Sequence, residues 1–235
     1  MKKTLLIGCI GLMASCLSAA DAGPKDKLTA ATKQLGDKPN YSWTTTMKEA
    51  DGSPGRLGPI DGKTEKDQLT FLSLTPGGIP VQVYKKGDKG AAQALEGWQT
   101  FDEIAQTSGT AAAIVRFLRS YKTPAAEAAE LCRNAKELKE ADGALASELK
   151  DDAIKDLLLM GVRREGEEPP KIADSKGSVK FWLKEGALTK YEINVQGKVT
   201  AGERTLDINR TQTVEIKDVG TTKLEVPSEA KEKLS

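Results

Sequence analysis

The sequence predicts an α+β protein: an antiparallel sheet with one apolar face, covered by amphipathic helices. Between Val179 and Pro227, apolar residues recur at every second position within short segments. They are Val179, Phe181 and Leu183, then Tyr191, Ile193 and Val195, then Leu206 and Ile208, Val214 and Ile216, and finally Leu224 and Val226. Successive strand residues point to opposite faces, so this period marks a half-buried sheet. Lys184-Glu185-Gly186, the stretch from Gly197 to Gly202, and Asp218-Val219-Gly220 supply the turns. A second group of turn-bounded, strand-like segments lies between Tyr41 and Gln99, and the period changes to that of a helix after Thr100. The helices from Thr110 to Met160 are the only cover available to the sheet, which must bury its apolar face against something.

Lys2 and Lys3 precede an apolar run from Leu5 to Met13 and the small residues Ala14, Ser15, Ser18, Ala19 and Ala20, the layout of a secretory signal. A membrane span needs roughly twenty apolar residues, which this run does not reach. Cleavage is expected after Ala20, or alternatively after Ala22, with export to the periplasm or cell envelope. A second reading takes Met13-Ala14-Ser15-Cys16 as an imperfect lipobox and anchors the chain to a membrane through acylated Cys16.

Removing Lys2 and Lys3 takes 35 basic residues to 33, against 34 acidic ones. Such a balance argues against a nucleic-acid partner, which would want a basic surface. Aromatic residues make up 5% of the chain, so any apolar site has to be built mainly from aliphatic side chains. The absence of histidine removes Ser-His-Asp and Cys-His catalysis together with the common zinc sites. The expectation is a protein that is not an enzyme and carries no metal or cofactor. After cleavage Cys132 stands alone, and its place on the apolar side of a helix reads as a buried, inert thiol.

In chain order, Asp26 to Leu35 reads as a short helix ended by Gly36 and the Pro39 stop. Tyr41 to Met47 is the first strand, rich in β-branched and aromatic residues. Arg56 to Lys66 reads as an edge strand broken by Pro59. Gln68 to Leu74 and Ile79 to Lys85 form a hairpin around Thr75-Pro76-Gly77-Gly78, and Gly90 to Gln93 and Gly97 to Gln99 are weaker strands anchored by Trp98. This makes a meander of four or five strands. Thr100 and Glu103 have the spacing of a capping box for a short helix. Ile114, Phe117, Leu118 and Tyr121 then recur at helical spacing while Arg116, Arg119 and Lys122 point away. Thr123 and Pro124 open a third helix, with Ala128, Cys132, Ala135 and Leu138 on one stripe and Asp142-Gly143 as its stop. Ala144 to Leu149 is a candidate strand, Asp151 to Met160 is a fourth helix ended by Gly161, and the stretch from 161 to 175 is a loop.

Local matches to catalytic motifs fail on their context. Gly58 to Thr64, GPIDGKT, lacks the first glycine of a phosphate loop and the helix that should follow. Ser147-Glu148-Leu149-Lys150 and Ser228-Glu229-Ala230-Lys231 fit Ser-x-x-K, but neither companion motif of that enzyme class is present. Glu165, Glu167 and Glu168 lack the alternating ligands and glycine turn of a calcium loop.

The order of elements, the stretch FWLKEGALTKYEINVQGKV and the ending VEIKDVGTTKLEVPSEA resemble the LolA/LppX-like superfamily of exported lipoprotein carriers and lipid-binding lipoproteins. The resemblance implies a strongly curved antiparallel sheet, an open half-barrel, with helices across its concave face and a hydrophobic cavity between them. Candidate lining residues are then Trp43, Phe71, Val81, Val83 and Trp98 from the first strands, and Phe181, Tyr191 and Ile193 from the closing sheet. Ile114, Phe117, Leu118, Tyr121 and Leu157 would line it from the helices. Helices packed flush would leave no cavity, whereas a lid resting on the curve would leave one. The expected partner is a hydrophobic small molecule, a lipid or a lipoprotein, with peripheral membrane contact. The alternative is an envelope regulatory or scaffold domain that binds protein through the same fold, and the oligomeric state is left open.

Overall fold

The computed structural model describes residues 22–65, 69–94, 97–107, 109–160 and 169–234. The signal segment, Cys16, Gly161 and the glutamates 165, 167 and 168 lie outside these residues. Among the described residues the chain runs α1 (Pro24–Gly36), β1 (Asn40–Glu49), β2 (Ile60–Glu65), β3 (Leu69–Leu74), β4 (Val81–Lys86), β5 (Lys89–Ala94) and β6 (Gly97–Thr100). Then come α2 (Phe101–Ala105), α3 (Thr110–Ser120), α4 (Pro124–Asn134), β7 (Lys139–Ala141), β8 (Ala144–Glu148) and α5 (Asp151–Leu159). β9 (Lys171–Lys184), β10 (Ala187–Ala201), β11 (Arg204–Lys217) and α6 (Ser228–Leu234) complete it.

Among the described residues the strands form one open, curved antiparallel sheet of 11 strands in the order β6-β5-β4-β3-β2-β1-β11-β10-β9-β8-β7. Two meanders therefore meet at the β1–β11 pair, where Trp43 lies opposite Ile216 and Thr45 opposite Val214. Helices α1 to α5 lie over the concave face. Leu28 and Leu35 of α1, Val115 and Leu118 of α3, Ala128 and Leu131 of α4, and Ile154 and Leu158 of α5 join one core with the inward residues of the sheet. α5 comes close because Gly177 and Gly197 carry no side chain: a Cβ there would sit 2.7 Å from Ile154 and 2.8 Å from Leu158. Cys132 is buried in the same core and is a free thiol.

Several expected boundaries move, each for a physical reason. The first meander has six strands among the described residues, and β2 is not an edge strand, since β1 and β3 flank it. β2 starts just after Pro59, so no ladder donor is lost. α4 stops at Asn134 and does not extend to Leu138, because Ala135 is extended and bridges Leu149, and Lys136 N donates to Glu148 O at 2.9 Å. Asp142-Gly143 is consequently a two-residue hairpin turn between β7 and β8, with both residues at positive φ (52° and 73°), where Asp and Gly are tolerated. β9 begins at Lys171, inside the expected loop, and β10 runs straight through Gly197 to Ala201.

Leu224 and Val226 form no strand. β11 is already paired on both edges, by β1 and β10, so the chain has no ladder to join and leaves the sheet at Asp218 and Gly220. It crosses the opposite face as an extended strap, with Leu224 N donating to Glu65 Oε1 at 2.7 Å and Tyr84 Oη to Glu225 O at 2.7 Å. α6 follows, and with Leu224 and Val226 it covers Phe71, Tyr84, Ala91 and Trp98. The stretch Ser228-Glu229-Ala230-Lys231 is the first turn of that helix.

Candidate functional site

The concave face gathers most of the expected lining residues. Trp43, Val81, Val83, Phe181, Tyr191 and Ile193 from the sheet meet Ile114, Phe117 and Leu118 of α3, Tyr121 at its C-terminal cap, and Leu157 of α5. Phe71 and Trp98 lie elsewhere. Phe71 pairs with Tyr84, and both point to the opposite face because their neighbours Leu72 and Val83 point to the helices. The rings of Phe71 and Trp98 sit 5.0 and 5.5 Å from Tyr84 under the C-terminal strap. LTFLSL is apolar at both phases of the period, so alternation alone could not choose its inward face.

Under the helices the face is filled with side chains. Trp43 is 1% exposed, Leu118 1%, Ile193 2%, and Val83, Phe181 and Tyr191 0%, so the interior beneath α3 and α4 is packed core. The helix-to-sheet contact is mainly apolar, but α3, α4 and α5 are each also fixed to the sheet by a polar contact. Lys85 Nζ donates to Leu118 O, Arg119 O and Tyr121 O at 2.8, 3.0 and 3.1 Å, satisfying the Arg119 and Tyr121 carbonyls at the end of α3 and adding to the bond that Leu118 O accepts from Tyr121 N. Arg210 adds a second donor at the end of α5, to Leu157 O, which also accepts from Met160 N at 3.3 Å. Burial holds both cations below their ordinary pKa values. Trp43 Nε1 donates to Tyr121 Oη at 3.0 Å, and the Tyr121 hydroxyl is pushed up to about 12, chiefly by burial.

Glu127 of α4, half-buried, faces the sheet from the middle of these groups. Its carboxyl accepts from Tyr191 Oη and, at 3.2 and 3.3 Å, from Gln212 Nε2. Burial raises its pKa, and Glu130 raises it further, while the Tyr191 and Gln212 hydrogen bonds and Lys122 oppose that shift. The Tyr191 phenol is raised as well, by burial and then by Glu127. Of these groups, Trp43, Tyr121 and Tyr191 were among the expected lining residues, whereas Lys85, Glu127, Arg210 and Gln212 were not. A signal for three of them is present: Lys85 is in phase with Val81 and Val83, and Arg210 and Gln212 are in phase with Ile208 and Val214.

An open cleft lies beside this packed region, between α1, the β7–β8 hairpin and the β9–β10 turn. Its volume is about 630 Å³, and it is lined by Ala22, Asp26, Lys27 and Ala30 on one side and by Glu140 to Leu145 on the other, with Phe181, Leu183 and Gly186 beneath. Its walls follow from the register: Leu145 sits opposite Phe181 and Leu183 opposite Leu188, so both inward side chains of β9 end under α1. Lys27 Nζ bridges the cleft to Glu140 Oε1 at 3.2 Å. Of the expected lining residues, Phe181 alone borders it. A shallower cleft of about 370 Å³ continues past Ala30 along α1 to Lys33, Gln34, Asp37 and Lys38. Among the described residues no cluster of His, Cys, Asp and Glu is arranged to hold a metal ion, and no helix is long and apolar enough to cross a membrane.

No protein-family model matches the sequence, and no curated protein matches it. Solved structures similar to this one include the lipoprotein LppX of Mycobacterium tuberculosis, at 8% identity and a TM-score of 0.46 over 86% of this chain and 97% of that one. LprF from Mycobacterium bovis is similar at 9% identity and a TM-score of 0.46 over 88% and 97%. A LolA superfamily protein from Nitrosomonas europaea is similar at 9% identity and a TM-score of 0.33 over 87% and 96%. These are likenesses in architecture, and no ligand follows from them.

Proposed function

We propose that this protein is an exported, non-enzymatic binder of a hydrophobic ligand, such as an acyl chain, a lipid or a lipoprotein's lipid anchor, held between the curved sheet and its helices. The observation that carries this reading is the cleft beside α1, which opens to solvent and ends on Phe181, a member of the buried concave face. Its volume of about 630 Å³ falls within the range of roughly 300–1,000 Å³ common for small-molecule sites. Burial of a chain at about 25 cal/mol per Å² supplies affinity without a reacting group, consistent with a sequence that has no histidine. The filled space under α3 and α4 favours uptake at the α1 side, with α1 as the helix that would border the ligand.

A titration with a fluorescently labelled monoacylglycerol tests this. Saturable binding is expected. Leu183→Asp, which sets a carboxylate against the apolar chain, should weaken it at least about tenfold, or ~1.4 kcal/mol. The exposed Arg116→Ala should leave it unchanged. A parent protein that takes up no probe refutes the proposal. Export rests on the Lys2-Lys3 start and the small residues before Asp21. Intact-mass measurement from whole cells should find a mature N-terminus at Asp21 or Gly23, or an acylated Cys16, and an unprocessed Met1 chain would overturn it.

A further inference from the structure

We infer that the cleft beside α1 selects its ligand by charge, taking a single-chain amphiphile with a cationic amino head and rejecting an anionic fatty acid of the same length. This rests on the hydrophobic-ligand reading and names the ligand class. The depth of the cleft is apolar, made by Leu145, Phe181 and the half-buried Leu183. Its rim is charged and exposed: Asp26 in the first turn of α1, Glu140 on β7, Asp142 in the hairpin turn, and Lys27. An apolar trough with a charged rim fits an amphiphile, with the chain inside and the head at the rim.

The sign of the rim follows from its pairing. Lys27 is engaged with Glu140 at 3.2 Å, so these two charges offset each other. Among the described residues neither Asp26 nor Asp142 has a salt-bridge partner, which leaves two uncompensated carboxylates at the mouth. The α1 N-terminus contributes about half a positive charge, and the α-ammonium of a chain cleaved to begin at Gly23 adds about one more, together still less than the two carboxylates. Lys184 does not help, because it neighbours the inward Leu183 and alternation turns it to the opposite face. A carboxylate head brought to this rim meets like charge, and an ammonium head meets two acceptors.

Displacement of the labelled monoacylglycerol by hexadecylammonium, monopalmitoylglycerol and palmitate, all below their aggregation concentrations, tests the inference. Hexadecylammonium should bind about tenfold or more tighter than palmitate at low ionic strength. The ratio should shrink as salt shortens the Debye length to about 8 Å near 0.15 M. In the Asp26→Asn/Asp142→Asn variant the ratio should fall to about one, while monopalmitoylglycerol affinity stays within about twofold of the parent. Asn suits the positive φ of Asp142, so the turn survives, and the neutral ligand reports that the cleft does too. Palmitate binding as tightly as hexadecylammonium overturns the charge selection alone, as does a preference that persists in the double variant. Failure of all three amphiphiles to bind overturns the hydrophobic-ligand reading as well.

Discussion

Gly62→Ala should destabilise the protein by about 1–5 kcal/mol, an unusual outcome for adding one methyl group to a strand. Gly62 lies opposite Trp43 across the β1–β2 ladder, and a Cβ built on it would stand 2.1 and 2.2 Å from Trp43 Cε2 and Cζ2. Carbon atoms pack at about 3.5–4.0 Å, so the indole would have to move by roughly 1.5 Å. It has nowhere to go: Trp43 is 1% exposed, its ring centroid is 5.7 Å from that of Tyr41, and its Nε1 donates to Tyr121 Oη at 3.0 Å. Overpacking of this kind costs about 1–3 kcal/mol, and loss of the buried hydrogen bond about 1–3 more. The reduced freedom of the unfolded chain returns about 0.4–1 kcal/mol. Urea denaturation followed by far-UV circular dichroism measures the difference, with an unchanged m-value showing that the unfolding transition is the same. Trp43→Phe in the same chain removes the ring atoms that clash, so the double variant should recover at least about 1 kcal/mol relative to additivity. A Gly62→Ala protein as stable as the parent, or strict additivity of the pair, would refute the placement of Trp43 on β2 and with it the packed interior under α3.

Glu127→Gln should flatten the pH dependence of stability. The folded-state pKa of Glu127 is raised, mainly by burial against Tyr191, with Tyr121, Tyr41, Lys122 and Glu130 the other titratable groups acting in this cluster. A raised carboxyl binds its proton more tightly in the folded chain. Its contribution is therefore full below the unfolded pKa and is lost as pH rises through the folded one. Parallel pH profiles for parent and variant, measured by chemical denaturation, would show that the carboxyl is not buried there. Lys85→Met keeps the apolar stem but leaves Arg119 O and Tyr121 O without their side-chain donor, while Leu118 O keeps only Tyr121 N. A loss of about 2–4 kcal/mol is expected in the same assay, and no loss would mean that the end of α3 is open to water.

Local chemistry in the sequence determined the repeating parts of this protein. Alternation marked the inward residues of β9, β10 and the second half of β11, but not Leu206, which is 49% exposed near the start of β11; the Thr100–Glu103 spacing marked α2, where both capping-box hydrogen bonds form. Helical spacing marked the stripe from Ile114 to Leu118, because period and capping are properties of neighbours within a few residues. The tertiary structure decided what neighbours cannot. Only the ladder order shows that β11 is already paired on both edges, which turns Leu224 and Val226 from a strand into a strap and sends Phe71 and Trp98 beneath it. Polar groups in phase with an apolar stripe, such as Lys85, Arg210 and Gln212, look misplaced until the helix ends and the Glu127 carboxyl they serve are brought to them from tens of residues away. The cleft likewise depends on Asp26 and Glu140, far apart in sequence, meeting across α1 and β7. Burial and pairing between distant segments depend on register and on which face each helix covers, and a single strand's alternation holds no record of either.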